Sequence, residues 1–326
     1  MNDELRYNIS SHPLLEVKAV RFETTGYCQL VDTLTEWLWS GASGGFILGA
    51  PRVGKSWAAR ALKNQLKLRD GRVVPVFYMS IEDRDTKTLT EIPRQACLSN
   101  ELTFKSRAIA SALTYQFMNR VCDEQIEAGV QTAVLIVDEF DLLTPRQFNA
   151  FATFFNRMDG EKRSLMMVFI GNKAEAFELL GKMTGPQYKR IRKRFFKRYY
   201  EFRGLTSRQE LIALMRQYDT LRFPENGPTY TQAFLPEAVD SGWRLASLGK
   251  DLWRLYAEIA KDCDIESWGL EEVVNTLNLL VTDLLPTYGW EDVEDDLLRE
   301  ALLQPHLTDD FLTTLVNVTG KRGKSP

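Results

Sequence analysis

The feature that most constrains this chain is a glycine-containing loop between a short apolar run and a segment that favours helix. Residues 49–56 read Gly-Ala-Pro-Arg-Val-Gly-Lys-Ser, which fits the pattern GxxxxGK[ST]; the apolar run is 45–48 and the helix-prone segment is 57–62. Glycines at this spacing let backbone amides point at one phosphate chain, and the N-terminus of the following helix adds partial positive charge. Strand, loop and helix in this order predict a phosphate-binding loop.

Individual residues of this loop have separate predicted roles. Lys55 is expected to reach the outer phosphates, and Ser56 is expected to offer its hydroxyl to Mg²⁺. The alternative is a chance match in a turn that contains glycine, and the flanking strand and helix patterns disfavour it. The residues predicted to surround the phosphates are Gly49, Ala50, Pro51, Arg52, Val53, Gly54, Lys55, Ser56 and Trp57.

A second apolar run ends in two carboxylates. Residues 132–137 are β-branched or aliphatic, as expected of a buried parallel strand, and Asp138 and Glu139 follow directly. Ligands of open α/β sheets collect at the carboxyl ends of strands, so these side chains should lie beside the phosphate loop. Asp138 is predicted to hold Mg²⁺, and Glu139 to orient or deprotonate an attacking water.

A third run, residues 165–170, leads into Gly171 and Asn172. Asn172 would stand at the tip of this strand, where its amide can hydrogen-bond the attacking water or the last phosphate. The alternative is turn chemistry, because asparagine after glycine is common in turns.

A strongly basic segment lies further along the chain. Residues 189–198 contain seven Lys or Arg, and a strand-like segment, 199–202, follows. These cations could neutralise DNA phosphates, or one arginine could reach a nucleotide held by a neighbouring subunit. A solvated helix end remains the alternative for any single residue of the set.

Composition indicates an ordinary soluble chain. The 326 residues are 44% hydrophobic and 26% charged, enough for about two domains. Apolar runs are short and the N-terminus lacks a secretory pattern, so we expect a cytoplasmic protein with no membrane partner. Four scattered cysteines and two distant histidines make a zinc site or a disulfide framework improbable.

Charge is distributed unevenly along the chain. Residues 262–310 contain fourteen acidic groups and one arginine, while 311–326 contain three cations and no acid. The remainder, 1–261, therefore carries a net charge of +7. A basic body with an acidic end fits a nucleic-acid-binding protein, although solvated faces also produce such patterns.

Taken together, these motifs resemble the AAA+ ATPases over about residues 20–260. The resemblance rests on the loop, the acidic pair, Asn172 and the Arg194-Phe195 pair, in order and spacing. More narrowly, several segments of the sequence are similar to those of the TnsC and TniB group of transposition regulators, which are related to the MuB and IstB proteins. The segments that carry this narrower similarity are 137–141, 147–148, 168–174 and 194–195.

The resemblance implies a P-loop NTPase fold of the AAA+ type: an α/β three-layer sandwich with a parallel sheet, then a small α-helical lid and C-terminal helices. It implies ATP and Mg²⁺ as ligands, Glu139 and Asn172 as catalytic residues, and Arg194 as an arginine finger acting in trans. Arg190 or Arg192 could take that role, and Arg244 is the candidate second sensor. The region that would face DNA contributes Lys87, Arg94, Lys105 and Arg107, with Lys189 and Lys193 from the basic segment.

Domain boundaries follow from the same reading. The expected parts are an N-terminal arm and helix at 1–40, an ATPase core at 41–205, a helical lid at 206–262, acidic helices at 263–318 and a disordered basic tail at 319–326.

The function implied is an ATP-dependent regulator of transposition that binds double-stranded DNA. It would assemble on target DNA as a ring or filament and link a target-selection protein to a transposase. A replication initiator or helicase loader would share every nucleotide motif. A scaffold or signalling ATPase that does not bind DNA would use the basic segment only for subunit contacts. Both alternatives stay open at the level of sequence.

Overall fold

The structure is a computed structural model that describes residues 9–16, 20, 22–83, 88–263 and 265–304. Its described residues form two compact units. One runs from Gly26 to Arg203, and the other combines the described residues before Gly26 with those from Gly204 onward. The part of the chain described here has no helix both long enough and apolar enough to cross a membrane.

The first unit is built on a five-stranded parallel sheet. Its order is β2-β3-β4-β1-β5, so the strand that leads into the phosphate loop pairs with β4 and β5. The strands are β1 Gly44–Gly49, β2 Val76–Ser80, β3 Thr132–Asp138, β4 Ser164–Asn172 and β5 Tyr199–Glu201. The helices are α1 Thr25–Trp39, α2 Lys55–Ala61, α3 Glu91–Ser99, α4 Ala110–Glu127, α5 Phe148–Gly160, α6 Lys173–Gly181 and α7 Lys189–Phe195.

Helices cover both faces of this sheet. On β3, Leu135 and Val137 pack into a cluster that also contains buried residues of α3, α4, α5 and α7. Val134 and Ile136 face the opposite cluster, which includes residues of α1 and α2. Side chains alternate between the faces of a strand, so a continuous apolar run indicates burial on both sides. The predicted three-layer α/β sandwich with a parallel sheet is confirmed.

Strand register brings the ends of the chain segments together at one edge of the sheet. Gly49 at the end of β1 is paired with Asn172 at the end of β4. Ser80 at the end of β2 is paired with Asp138 at the end of β3. The phosphate loop, the acidic pair and Asn172 therefore meet at the carboxyl edge, as expected for parallel sheets.

The second unit is helical. It comprises α8 Arg208–Thr220, α9 Tyr230–Phe234, α10 Pro236–Asp240, α11 Gly249–Cys263, α12 Leu270–Leu279, a π-helical segment Leu280–Leu284, α13 Leu285–Tyr288 and α14 Asp295–Leu303. Ahead of these along the chain, two short 3-10 turns, Ile9–Ser11 and Pro13–Leu15, belong to the same unit. The proposed tail, 319–326, lies outside the described residues.

Two elements begin after short irregular segments. Strand β2 starts at Val76, and Val73 upstream of it forms an isolated antiparallel bridge with Lys67. Helix α11 starts at Gly249, after a 3-10 turn, Leu245–Leu248. The carboxylate of Asp219 accepts the backbone N–H groups of residues 245 and 246 at 2.9 and 3.1 Å and caps that turn.

Candidate functional site

Two glycines shape the loop between β1 and α2. Gly54 has φ 100° and ψ 12°, a left-handed conformation at the N-cap of α2 that glycine adopts with little cost. A Cβ atom on Gly49 would lie 2.2 Å from the carbonyl oxygen of Phe202. Arg52 also has positive φ, 61°, which is uncommon for a residue with a side chain. The loop backbone is therefore held in a curled conformation, with glycine required at both ends.

Lys55 lies inside this loop. Its ammonium donates hydrogen bonds to the carbonyl oxygens of Gly49, at 3.0 Å, and Ala50, at 2.6 Å. It also donates to Oδ1 of Asn172, at 3.1 Å. The residue is only 8% exposed. The cation predicted to contact phosphate is thus positioned between the loop and the tip of β4.

Electrostatics around Lys55 act in two directions. Burial lowers the pKa of its ammonium, while the negative charges of Asp138, Asp141 and Glu175 oppose that change. The same burial raises the pKa of the Asp141 carboxyl group. Charged groups removed from water require partners, and here the lysine and the three carboxylates compensate one another.

Asp138 is the most buried acid of the site, with 2% of its surface exposed. Its Oδ2 accepts a hydrogen bond from the hydroxyl of Tyr78 at 2.7 Å, and its Oδ1 accepts the backbone N–H of Glu139 at 3.0 Å. The guanidinium of Arg60 lies 5.2 Å from the centre of the Tyr78 ring. Burial, and then the charge of Asp138, raise the pKa of Tyr78, so this phenol stays a donor.

Glu139 differs from Asp138 in both backbone and exposure. Its φ and ψ are 56° and 36°, a left-handed conformation that costs energy outside glycine and that often marks functional positions. Its side chain is exposed, and Oε2 accepts a hydrogen bond from the Ser80 hydroxyl at 2.6 Å. The end of β2 therefore holds the carboxylate predicted to activate water.

Asp141 is a further acidic residue at the carboxyl edge of the sheet, and the position of its side chain requires glycine at residue 171. Its Oδ1 accepts the backbone N–H of Asn172 at 3.2 Å. A Cβ atom on Gly171 would lie 2.2 Å from that oxygen and 3.0 Å from the ring of Phe140. Glycine at 171 is what permits this close approach, which fixes the N-cap residue of α6.

The remaining loop residues have different surroundings. Ser56 is half-buried in the first turn of α2, Pro51 and Arg52 are exposed, and Val53 is buried. Trp57 packs edge-on against Tyr27 of α1, with ring centroids 5.6 Å apart, as part of the apolar layer.

Three arginines of α7 are candidates for the arginine finger, and they differ in their contacts and exposure. Arg192 donates to the carbonyl oxygens of Met183 and Gly185. Arg194 donates to Oδ1 of Asn156 at 3.0 Å, and its guanidinium lies 4.1 Å from the ring centre of Phe155. Arg190 is exposed and has no hydrogen bond or ion pair with any residue that the structure describes.

Arg244, the predicted second sensor, belongs to the helical unit. Its guanidinium donates to the carbonyl oxygens of Val239, at 3.1 Å, and Trp243, at 2.7 Å. It precedes the 3-10 turn rather than standing in the first turn of a long helix. Its proposed role remains a prediction.

Residues predicted to face DNA fall into three groups. Arg94 is engaged internally: it lies 5.6 Å from the ring centre of Phe104, donates to the Ser106 carbonyl and is 3.9 Å from Glu91. Lys87 lies outside the described residues. Four cations are exposed on the surface, namely Lys105, Arg107, Lys189 and Lys193.

The donor atoms at this edge suit Mg²⁺, which takes only part of its ligands from the protein, better than a metal ion that is coordinated by protein side chains alone. Within the described ranges, no group of three or more His, Cys, Asp or Glu could hold a metal ion. Asp138 uses one lone pair on each oxygen for Tyr78 and Glu139, which leaves coordination capacity on both. Mg²⁺ is commonly bound through one or two protein ligands together with phosphate oxygens and water. Ser56 and Asp138 would be those ligands here.

Sequence reasoning missed Tyr78, Ser80 and Asp141 as parts of this site. Asp141 carried a usable signal, since it stands three residues after Asp138 on the same chain segment. Tyr78 and Ser80 become relevant only through the pairing of β2 with β3.

Comparison with known proteins supports the fold. Residues 38–180 match the family model described as an AAA domain. The chain has the AAA+ P-loop NTPase fold, with a helical C-terminal part. No curated protein matches the sequence.

Several solved structures are similar in outline at low sequence identity. Cdc6p from Pyrobaculum aerophilum is 14% identical, with TM-score 0.46, covering 94% of this chain and 89% of that one. The ORC2 protein of Aeropyrum pernix is 15% identical, with TM-score 0.45, covering 95% and 89%. The Aeropyrum pernix ORC1 protein, solved with DNA, is 15% identical, with TM-score 0.43, covering 90% and 86%.

Proposed function

We propose that this protein is an ATPase that assembles on double-stranded DNA and regulates transposition. The observation that carries the ATPase part is the convergence of Lys55, Asn172 and Asp138 at one edge of the sheet, with Lys55 bonded to Asn172 and buried beside Asp138. A buried cation in a glycine-shaped loop, next to a buried carboxylate, is the arrangement that phosphoryl transfer requires.

Each side chain then has a definite task. The Lys55 ammonium would exchange carbonyl acceptors of its own loop for the outer phosphate oxygens of ATP. Ser56 and Asp138 would hold Mg²⁺, which neutralises charge on the phosphates when bound. Glu139 would accept a proton from the attacking water. Asn172, bonded to Lys55 at 3.1 Å, would change partners when the last phosphate leaves, which supports its role as a sensor.

The arginine finger is proposed to come from α7 of a neighbouring copy. The sequence favours Arg194, but that side chain would first have to leave Asn156 and the ring of Phe155. Exposure favours Arg190, which has no partner among the described residues. An arginine that reaches across an interface stabilises charge on the transferred phosphoryl group and so makes turnover depend on assembly.

DNA binding is proposed for the exposed cations. Lys189 and Lys193 stand on the same short helix as the finger candidates, and Lys105 and Arg107 lie in the segment between α3 and α4. Cations that neutralise phosphates supply affinity that falls steeply with salt. Assembly, DNA contact and nucleotide state would then share one helix, α7.

The role in transposition rests on the resemblance of the segments around Asp138, Asn172 and Arg194 to the TnsC and TniB group. A transposase and a target-selection protein are the partners that this role requires. A replication initiator or helicase loader would use the same nucleotide contacts. The two are distinguished by the partner that copurifies: an integrase-type transposase supports our proposal, and a replicative helicase supports the alternative.

Electron microscopy of the purified protein on duplex DNA tests the proposal directly. With ATP we expect rings or filaments, with ADP or no nucleotide we expect few, and raising the salt concentration should dissolve them. Equal assembly under all three conditions would defeat the nucleotide switch. Nucleotide binding without any preference for DNA would favour the scaffold or signalling alternative.

A further inference from the structure

Strand β2 supplies a hydroxyl group to each carboxylate of the acidic pair. Tyr78 donates to Oδ2 of Asp138 at 2.7 Å, and Ser80 donates to Oε2 of Glu139 at 2.6 Å. Residues 78 and 80 are two positions apart on one strand, so their side chains leave the same face of the sheet. Both hydroxyls thus contact the carboxylates that are proposed to hold Mg²⁺ and to activate water.

Tyr78 helps to orient a carboxylate that is almost fully removed from water. Asp138 is 2% exposed, so its charge depends on partners within the protein. The backbone N–H of Glu139 donates to Oδ1 at 3.0 Å, and the Tyr78 hydroxyl donates to Oδ2. With a donor on each oxygen, the plane of the carboxylate is set. Of these two donors, the tyrosine hydroxyl belongs to a side chain, so one substitution can remove it.

The tyrosine is itself held on several sides. Its ring packs against the apolar cluster that includes residues of α1 and α2. The guanidinium of Arg60 lies 5.2 Å from the centre of that ring. Nδ2 of Asn100 donates to the backbone carbonyl oxygen of Tyr78 at 3.2 Å. The hydroxyl is therefore presented to Asp138 by a residue whose ring and backbone both have partners.

Contacts of Tyr78 connect the two proposed ligands of Mg²⁺. Ser56 and Arg60 are four residues apart, so they lie on one face of α2 in successive turns. Arg60 contacts the ring of Tyr78, and the hydroxyl of Tyr78 bonds Asp138. The helix that carries one ligand is in this way linked to the carboxylate that is the other.

Hydrogen bonds to a ligating carboxylate influence metal affinity because they hold its oxygens in the direction that the ion needs. Loss of such a partner commonly lowers metal affinity by about ten- to a hundredfold. Mg²⁺ is sensitive to this loss, since it requires nearly octahedral geometry and takes few ligands from the protein. Asp138 keeps a lone pair on each oxygen for the ion or for its bound water.

We propose that Tyr78 is a positioning residue for Mg²⁺, which holds Asp138 in the orientation that binds the ion or the ion's water. The proposal rests on the ATPase function proposed above. It assigns no contact between Tyr78 and nucleotide, so removal of the hydroxyl weakens the hold on the metal and leaves the phosphate loop unchanged.

The test is the gain in nucleotide affinity that Mg²⁺ provides, measured without hydrolysis. A fluorescent, non-hydrolysable ATP analogue is titrated into the full chain in Mg²⁺ and in EDTA, and the ratio of the two dissociation constants is the gain. Tyr78→Phe keeps the ring and its contact with Arg60, and we expect it to reduce the gain by about tenfold or more. Affinity in EDTA, which reports on Lys55 and the loop, should be unchanged.

A second variant shows whether Tyr78 acts through the carboxylate. If it does, adding Tyr78→Phe to Asp138→Asn should not reduce the remaining gain further, because substitutions within one hydrogen-bonded pair are not additive. Tyr115→Phe is the matched control: Tyr115 is an exposed residue of α4, and Arg157 likewise lies over its ring, 4.1 Å from the centre. This control should keep the full gain, and urea unfolding should show that every variant is folded.

Failure of the positioning role and failure of the ATPase site would give different results. An undiminished gain for Tyr78→Phe, equal losses of affinity in Mg²⁺ and in EDTA, or additive losses in the double variant would overturn the role of Tyr78 alone. An unaltered chain that binds no nucleotide, or that binds it equally well in EDTA, would overturn the proposed ATPase site together with this inference.

Discussion

The hydroxyl of Ser80 donates a hydrogen bond of 2.6 Å to Oε2 of Glu139. These residues stand at the ends of neighbouring strands, 59 positions apart in the chain. Glu139 is exposed and has a left-handed backbone, so the bond restrains a side chain that is otherwise open to solvent. The acid proposed to activate water is thereby tied to β2.

Replacing Ser80 by alanine should raise the basal rate of ATP hydrolysis. The serine bond restrains the Glu139 carboxylate at the end of β2, so its loss frees the side chain to turn toward the attacking water. A net hydrogen bond to a charged group is worth about 1.5 kcal/mol or more, so we expect roughly a tenfold increase in kcat. Ser80→Thr keeps the hydroxyl and serves as the control. A slower Ser80→Ala protein would mean that the bond positions Glu139 for catalysis.

Substitutions at Lys55 and Glu139 should separate binding from turnover. Lys55→Ala removes the buried cation, so we expect ATP binding to be lost in a fluorescent-nucleotide titration. Glu139→Gln keeps the shape of the side chain and its bond from Ser80, so binding should persist while kcat falls by about two orders of magnitude or more. Undiminished turnover by the Glu139→Gln protein would remove that residue from its proposed role.

The Arg190→Ala and Arg194→Ala proteins should differ in their rate of ATP hydrolysis when they are assembled on DNA. Both are expected to bind ATP, because the hydrogen bonds described for Arg192 and Arg194 do not reach the phosphate loop and Arg190 has none among the described residues. Loss of a finger should lower turnover in the DNA-bound assembly by about a hundredfold or more. Lys182→Ala, which removes an exposed cation outside the basic segment, is the charge control. If Arg194→Ala alone loses activity, Arg194 must leave Asn156 on assembly. If neither variant loses activity, Arg192 is the remaining finger candidate on α7.

Gly171→Ala should destabilise the sheet unit. Its Cβ atom would meet Oδ1 of Asp141 at 2.2 Å and the Phe140 ring at 3.0 Å, so both must move and the bond to Asn172 is lost. We expect a decrease in the free energy of unfolding of about 1–3 kcal/mol. Gly160→Ala is the control, because nothing lies within 4 Å of its added atom. Urea denaturation that gives equal stabilities would contradict the packing described for Asp141.

Protonation of His12 should destabilise the helical unit in mild acid. The ring is buried among Phe223, Tyr230 and Phe234, and burial lowers its pKa from 6.5 to about 4. The unfolded chain therefore takes up a proton that the folded chain does not. Stability from this group is complete above pH 6.5 and is lost as the pH falls toward 4, by about 3 kcal/mol in total.

His12→Phe is the variant that checks this pH dependence. Phenylalanine fills the same aromatic surroundings and cannot be protonated, although it gives up the bond from the Leu14 N–H to Nδ1. Urea unfolding of both proteins between pH 4 and 7 should show a difference in stability that changes across that range. A constant difference would mean that His12 titrates as it does in the unfolded chain.

Local patterns predicted the parts of the site that lie within one segment of chain. The loop at 49–56 and the apolar run that ends at Asp138 can be recognised in the sequence, because the residues that favour strand, turn and helix follow one another directly. Tyr78 and Ser80 could not be found in this way, since their role comes from lateral pairing of β2 with β3. Exposure likewise separated Arg190 from Arg194, which sequence spacing alone could not do.

Strand β4 joins Asn172 to Ser164 through seven buried residues, and the Ser164 carbonyl accepts a hydrogen bond from Gln125 of α4 at 2.9 Å. Such a strand spans roughly 25 Å and has no soft position in which to absorb a push along its axis. If Asn172 moves along the strand axis when it exchanges Lys55 for phosphate, as proposed above, that displacement would reach Ser164 at the far end. A protein docked on the C-terminal end of α4 could thus read the nucleotide without approaching it.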